Sequence, residues 1–137
     1  MFELLMPDFP AGRFGIGLLV LRLFVGFAFV RHGTGKLHDI AGFAAEYHVP
    51  KPMALAAMLT QLCGGILLLL GLLTPLAALG IAATVTVATF FLIKEGQPFI
   101  NPKGHSWENS AFYVAAGLAL ALLGPGGYSL DAYWWGH

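Results

Sequence analysis

Two polar side chains lie inside otherwise apolar stretches of this sequence, Arg22 within residues 14–30 and Gln61 within residues 53–73. An arginine near the centre of a bilayer costs about 2.5–3.5 kcal/mol on insertion scales, so Arg22 should face other helices. Arg22 lies eight residues before the end of its stretch, and Gln61 lies eight residues after the start of its own. At about 1.5 Å per residue, both would lie roughly 12 Å from one membrane boundary, and Thr84 would share that depth. The spacing therefore predicts a polar layer at mid-membrane.

Such a layer could bind a small lipophilic ligand. A cation with amide and hydroxyl neighbours in an apolar cavity can hold carbonyl or anionic oxygens, and a quinone head group fits that description. The alternative is that Arg22 and Gln61 only join helices, because interhelical hydrogen bonds contribute roughly 0.6–2 kcal/mol each. The residues by themselves leave both interpretations open.

A second polar level is expected at one end of the helices, where Glu108 begins the last apolar stretch. A salt bridge from Arg22 to Glu108 would require a long reach or a shifted helix start. His105 precedes Glu108 by one helical turn, which could bind a metal, but no second pair of ligands accompanies it, so we predict no metal site.

Cys63 is interpreted as a small packing residue. Because flavin-binding glycines, iron–sulfur cysteines and a haem histidine pair are all missing, we predict no intrinsic cofactor.

Four apolar stretches must position these residues. At roughly 20 residues each, they can cross about 30 Å of hydrocarbon as helices, and they cover residues 14–30, 53–73, 76–93 and 107–123. Hydrophobic residues make up 58% of the 137 and charged residues 10%, whereas about 25% charged is usual in soluble domains. Seven basic and seven acidic residues cancel, which argues against a nucleic-acid partner. We predict one domain over residues 1–137, an all-α integral membrane protein built as a four-transmembrane-helix antiparallel bundle.

The connections carry further signals. In the first, Ile40, Phe43, Ala44 and Tyr47 recur at helical spacing, which predicts a short interfacial helix. The second is only residues 73–75, a tight turn whose proline breaks the helix and makes the flanking spans antiparallel neighbours.

Basic residues are concentrated on one side of the predicted bundle. The first and third loops together hold Arg31, Lys36, Lys51, Lys94 and Lys103, whereas the opposite side has Arg13. This bias predicts a multi-pass protein of the inner (plasma) membrane with loops 1 and 3 cytoplasmic and both termini outside. The first twelve residues lack a basic leader, so the first span should serve as its own targeting signal. The aromatic tail at residues 128–135 should anchor at the outer interface.

Three segments together resemble the DoxX-like family of small membrane proteins. They are LRLFVGFAFVRHGTGKL at 21–37, GGILLLLGLLTPLAAL at 64–79, and Glu108 followed by GPGGYSLD at 124–131. The resemblance implies a four-helix bundle linked to quinone-dependent redox systems, among them thiosulfate:quinone oxidoreductase and terminal oxidases. The family's arginine, His-Gly-x-x-Lys segment and fourth-span acid match Arg22, His32 to Lys36, and Glu108. Gln61 departs from the family's usual glutamate, so proton-coupled catalysis by this chain alone is not expected.

Three functions therefore compete. The first is a membrane subunit of a quinone-linked redox or respiratory system, with a quinone-like ligand held by six candidate residues: Arg22, Gln61, Thr84, Glu108, His32 and Lys36. The second is a noncatalytic accessory or assembly subunit of a larger complex, and the third is a small-molecule transporter, suggested by a weak likeness between residues 65–71 and 117–124. The predicted partners are the lipid bilayer and either an electron-carrying membrane or peripheral protein or further copies of this chain.

Overall fold

The computed structural model describes residues 9–136, and over that range the chain is all-helical. In chain order, the helices are α1 (Gly12–Leu37), α2 (Ile40–Glu46), α3 (Lys51–Leu70), α4 (Thr74–Lys94), α5 (Glu108–Leu123) and α6 (Leu130–Trp135). The expectation that the first twelve residues are not a basic leader falls largely on residues 1–8, which lie outside the described range.

Three of these helices, α1, α3 and α4, are long and apolar enough to cross a membrane, whereas α5 is a shorter apolar helix of 16 residues. Large apolar side chains such as Phe24, Phe27, Phe90 and Leu122 are exposed on their outer faces. An apolar exterior around an apolar core is what a lipid solvent permits. The prediction of an all-α membrane protein is confirmed.

Helices α1, α3, α4 and α5 pack in that order, and α1 also touches α5. Their buried contacts form one core that includes Val25 and Phe29 of α1, Leu68 of α3, Ile81 of α4 and Leu120 of α5. The turn at residues 71–73 lies at one end of the bundle, here called the turn end. The first and third loops lie at the opposite end, here called the loop end.

Helix α1 continues to Leu37, beyond the predicted end at residue 30. The apolar stretch stops before Arg31, but the helix continues and packs on α3, because a Cβ on Gly33 would lie 2.8 Å from Leu62 Cβ. The Thr34 hydroxyl also donates a hydrogen bond to Val30 O at 2.8 Å, within the helix. The short helix expected in the first loop is present as α2, with Asp39 accepting a hydrogen bond from Gly42 N at its start.

Glycines set the close approach of α1 and α3. A Cβ on Gly26 would lie 2.9 Å from the carbonyl oxygen of Gly65, and a Cβ on Gly65 would lie 2.8 Å from Val30 N. Both obstacles are backbone atoms, which cannot move without shifting a helix. Small residues at such crossings allow the backbones to pack closely in membranes.

We expect Gly26→Val to lower the free energy of unfolding in detergent by about 1–3 kcal/mol, as overpacking does in other cores. The matched control is Gly17→Val on the same helix, since a Cβ at Gly17 meets no atom within 4 Å. That control should change stability by less than about 0.5 kcal/mol. Equal effects of the two changes, measured by denaturant titration of helicity, would contradict the glycine contact.

Candidate functional site

Arg22 is buried at the turn end of the bundle, with 2% of its surface exposed. Its Nη1 donates to Pro125 O and its Nη2 to Tyr128 O, each at 2.8 Å. A Cβ on Gly71 would lie 2.5 Å from Nη1, so the guanidinium lies directly against the turn between α3 and α4. Arg22 therefore ties the segment after α5 to the bundle.

The predicted layer shared by Arg22 and Gln61 is not present. The depth of Arg22 was counted from residue 30, but α1 ends at Leu37. The seven additional residues move Arg22 roughly 10 Å farther from the loop end. Gly33 is the α1 residue that lies beside Leu62, the neighbour of Gln61.

Asp131 is a turn-end residue whose role is not predictable from the sequence pattern around it. It is fully buried, and its Oδ1 accepts from Leu73 N at 2.8 Å while Oδ2 accepts from Thr74 N at 3.0 Å. Its own backbone N–H donates to Gly71 O at 2.9 Å. Asp131 thus caps the start of α4 from 57 residues away along the chain. The glycine-rich GPGGYSLD segment marks a structured connection after α5. Nothing in the segment itself indicates that Asp131 binds the start of α4.

Gln61 lies between two adjoining chambers toward the loop end. The apolar chamber, about 250 Å³, lies among α2, α3 and α4. The polar chamber, about 280 Å³, lies among α1, α4 and α5. Lys36, Tyr47, Gln61 and Ala88 line both chambers, so these side chains form the boundary between them.

The carboxamide oxygen of Gln61 is unsatisfied. Only 4% of the side chain is exposed, and its Oε1 has no hydrogen-bond partner among the described residues. Leaving a buried polar atom unpaired costs about 1–3 kcal/mol. Such an atom on a cavity wall is suited to accept a hydrogen bond from a ligand or from water.

Lys36 supplies a positive charge at the boundary of the chambers. It lies in the last turn of α1, and its Nζ is 4.5 Å from the centroid of the Phe43 ring and 5.9 Å from that of Tyr47. Both rings belong to the α2 region, so cation–π contacts hold the ammonium under α2. Burial, reinforced by the negative charges of Glu46 and Glu95, raises the pKa of the Tyr47 hydroxyl, which therefore stays protonated and able to donate.

Four of the six candidate ligand-binding residues come together around the chambers. Thr84 lines the apolar chamber and His32 the polar one, beside the shared Lys36 and Gln61. The Thr84 hydroxyl donates to Ile81 O at 2.9 Å, so only its lone pairs are available to a ligand.

The other two candidates, Arg22 and Glu108, line neither chamber, and they lie at opposite ends of the bundle. Glu108 is exposed at the start of α5, so the two side chains are too far apart for a salt bridge.

Across residues 9–136, no group of three or more His, Cys, Asp or Glu side chains is arranged to hold a metal ion. Cys63 is exposed on the outer face of α3, so its interpretation as a buried packing residue is wrong. Its neighbour Gly64 is the buried small residue, in contact with Ile81 of α4.

The fold and the cavity define a class: an all-helical membrane protein with an amphipathic cavity between its helices. A family comparison refines this class, because the DoxX family matches residues 17–94. The chain belongs to the DoxX family. No solved structure gives a significant match to it.

Individual relatives agree with that assignment. The chain is 32% identical over 120 residues to the inner membrane protein YqjF of Escherichia coli, covering 85% of this chain and 90% of the relative. An uncharacterized protein of Haemophilus influenzae is 32% identical over 83% of this chain and 87% of its own length. A Bacillus subtilis protein named "Putative oxidoreductase CatD" is 28% identical over 88% of each chain. The apolar helices and the E. coli relative support an inner-membrane location.

Proposed function

We propose that this chain is a four-span membrane subunit of a quinone-linked redox system, with the quinone-like head group bound between Lys36 and Gln61. The observation that carries the proposal is the buried, unpaired Oε1 of Gln61 on a wall shared by two chambers. A quinol hydroxyl can donate to this oxygen, and the Lys36 ammonium can donate to a quinone carbonyl. The name of the B. subtilis relative is consistent with redox chemistry.

The chain needs a partner for electron transfer. Its sequence holds no flavin, iron–sulfur or haem motif. The residues described here can bind and orient a head group, and the His32 imidazole in the polar chamber can donate or accept a hydrogen bond there. The basic first and third loops support a cytoplasmic loop end, where an electron-carrying protein would dock.

Gln61→Leu tests the proposal. The chain is purified in mild detergent from quinone-containing membranes, and the quinone per protein is measured after solvent extraction. Loss of one buried hydrogen bond, about 1–1.5 kcal/mol, should lower quinone affinity by roughly tenfold. The matched control Gln97→Leu makes the same change in the third loop, outside both chambers, and should retain the wild-type amount.

Wild-type protein that carries no quinone and binds none on addition would contradict the proposal. Copurification of a larger complex by such quinone-free protein would instead favour the accessory function.

A further inference from the structure

Helices α3 and α4 diverge from the turn end toward the loop end. In the half nearer the turn they touch, because a Cβ on Gly64 would lie 3.0 Å from Ile81 Cγ1. Contact still exists at mid-helix, where Thr60 lines the chamber and its Cγ2 would lie 3.1 Å from a Cβ on Gly80. Closer to the loop end, residues 53–61 of α3 and 84–91 of α4 line opposite walls of the apolar chamber. The two helices therefore form a V, with the chamber between its arms.

The open side of this V reaches the outer surface of the bundle. Met53 on α3 and Val87 on α4 both line the chamber, yet they are 50% and 44% exposed. In a membrane-spanning bundle, side chains exposed on this face contact lipid. The chamber is thus open laterally, toward the hydrocarbon.

The walls of this lateral opening are apolar despite their threonines. Thr60 donates its hydroxyl to Ala56 O at 2.8 Å, and Thr84 donates to Ile81 O at 2.9 Å. Both hydroxyl protons are therefore used within their own helices. Polarity rises only at the inner end, where Lys36 and Gln61 separate this space from the polar chamber.

We propose that the slot between α3 and α4 admits the apolar chain of an amphiphile from the bilayer, while the head group lies at Lys36 and Gln61. The apolar chamber matches the apolar tail of such a molecule, and the polar boundary at Lys36 and Gln61 matches its head group. The polar chamber, lined by His32 and Asn109 at the loop end, gives the head group access to water and protons. This inference rests on the proposed function, because it takes the quinone-like head as the polar part.

Ala56→Trp tests the slot, since Ala56 lines the apolar chamber from an exposed position on α3. Ala83→Trp is the matched control, because Ala83 is exposed on α4 and lines neither chamber. The probes are 2,3-dimethoxy-5-methyl-1,4-benzoquinone and its decyl derivative, and their dissociation constants are measured by equilibrium dialysis of purified protein. Ala56→Trp should raise the dissociation constant of the decyl quinone by at least tenfold and that of the tailless quinone by less than threefold. Ala83→Trp should change neither dissociation constant.

The outcomes separate the two proposals. If wild-type protein binds neither quinone, the proposed function fails. If wild-type protein binds both and Ala56→Trp leaves both unchanged or weakens both equally, the slot is overturned while head-group binding stands. Gln61→Leu should raise the dissociation constants of both quinones by the same factor, because Gln61 contacts the head group that both share. A residue that contacted only the tail would affect the decyl quinone alone. Helicity and a monodisperse elution profile confirm that each tryptophan variant is folded.

Discussion

Arg22→Leu should lower the free energy of unfolding by about 3–5 kcal/mol, the cost typical of removing one partner from a buried charged cluster. The change leaves Pro125 O and Tyr128 O without their donors at 2.8 Å. It also removes the positive charge that interacts electrostatically with the buried Asp131 carboxylate. The segment after α5 should then detach from the turn end.

Thermal unfolding in mild detergent, followed by circular dichroism, measures this loss. Arg22→Lys is the control, because it keeps the charge but offers no planar fork for two carbonyls. It should be intermediate in stability between wild type and leucine. If the lysine and leucine variants unfolded at the wild-type temperature, the predicted contribution of the two carbonyl hydrogen bonds to stability would be wrong. Amide hydrogen exchange should also rise in residues 125–131 of the leucine variant.

Asp131→Ala should have the second-largest effect, a loss of about 2–4 kcal/mol. It orphans the backbone N–H groups of Leu73 and Thr74, and each unpaired buried group costs about 1–3 kcal/mol. Leu73 is held at a φ of 48°, a left-handed conformation that a non-glycine residue adopts only when its surroundings fix it. Without Asp131 the turn between α3 and α4 should loosen.

The comparison for this prediction is Asp39→Ala, since Asp39 also caps a helix but is exposed, accepting from Gly42 N at 2.9 Å. An exposed cap of this kind is worth about 1 kcal/mol. Asp131→Asn keeps one acceptor oxygen and should fall between wild type and alanine. Equal losses from the exposed and buried caps, measured by the same unfolding assay, would refute the role of burial. Faster amide exchange at Leu73 and Thr74 localises the effect.

Much of the fold could be predicted because hydropathy acts locally. A helix surrounded by lipid must satisfy its own backbone hydrogen bonds and expose apolar side chains, so long apolar stretches indicated α1, α3 and α4. The periodic residues of the first loop likewise predicted α2. Helix ends were less predictable, because hydropathy ends the first stretch at the polar Arg31, whereas α1 continues to Leu37 by packing Gly33 closely on α3.

The candidate site was predicted only in part. Gln61 and Thr84 could be placed near each other because both lie on helices joined by a short turn, which fixes their relative depth. Glu108 could be placed at the loop end by its position at the start of α5. Arg22 could not be placed, because its depth depended on where α1 ends and its partners lie more than 100 residues away along the chain.

The sequence by itself determined that this protein is an all-helical membrane protein of the DoxX type, with a few polar side chains that must face one another. Only the tertiary structure decided which of those side chains lie together. Arg22 and Asp131 secure the turn end, whereas Lys36, Gln61 and Thr84 surround a cavity near the loop end. The reason is physical: apolar periodicity is encoded within each helix, but hydrogen-bond partners are set by how helices align, and that alignment depends on backbone contacts such as Gly26 with Gly65.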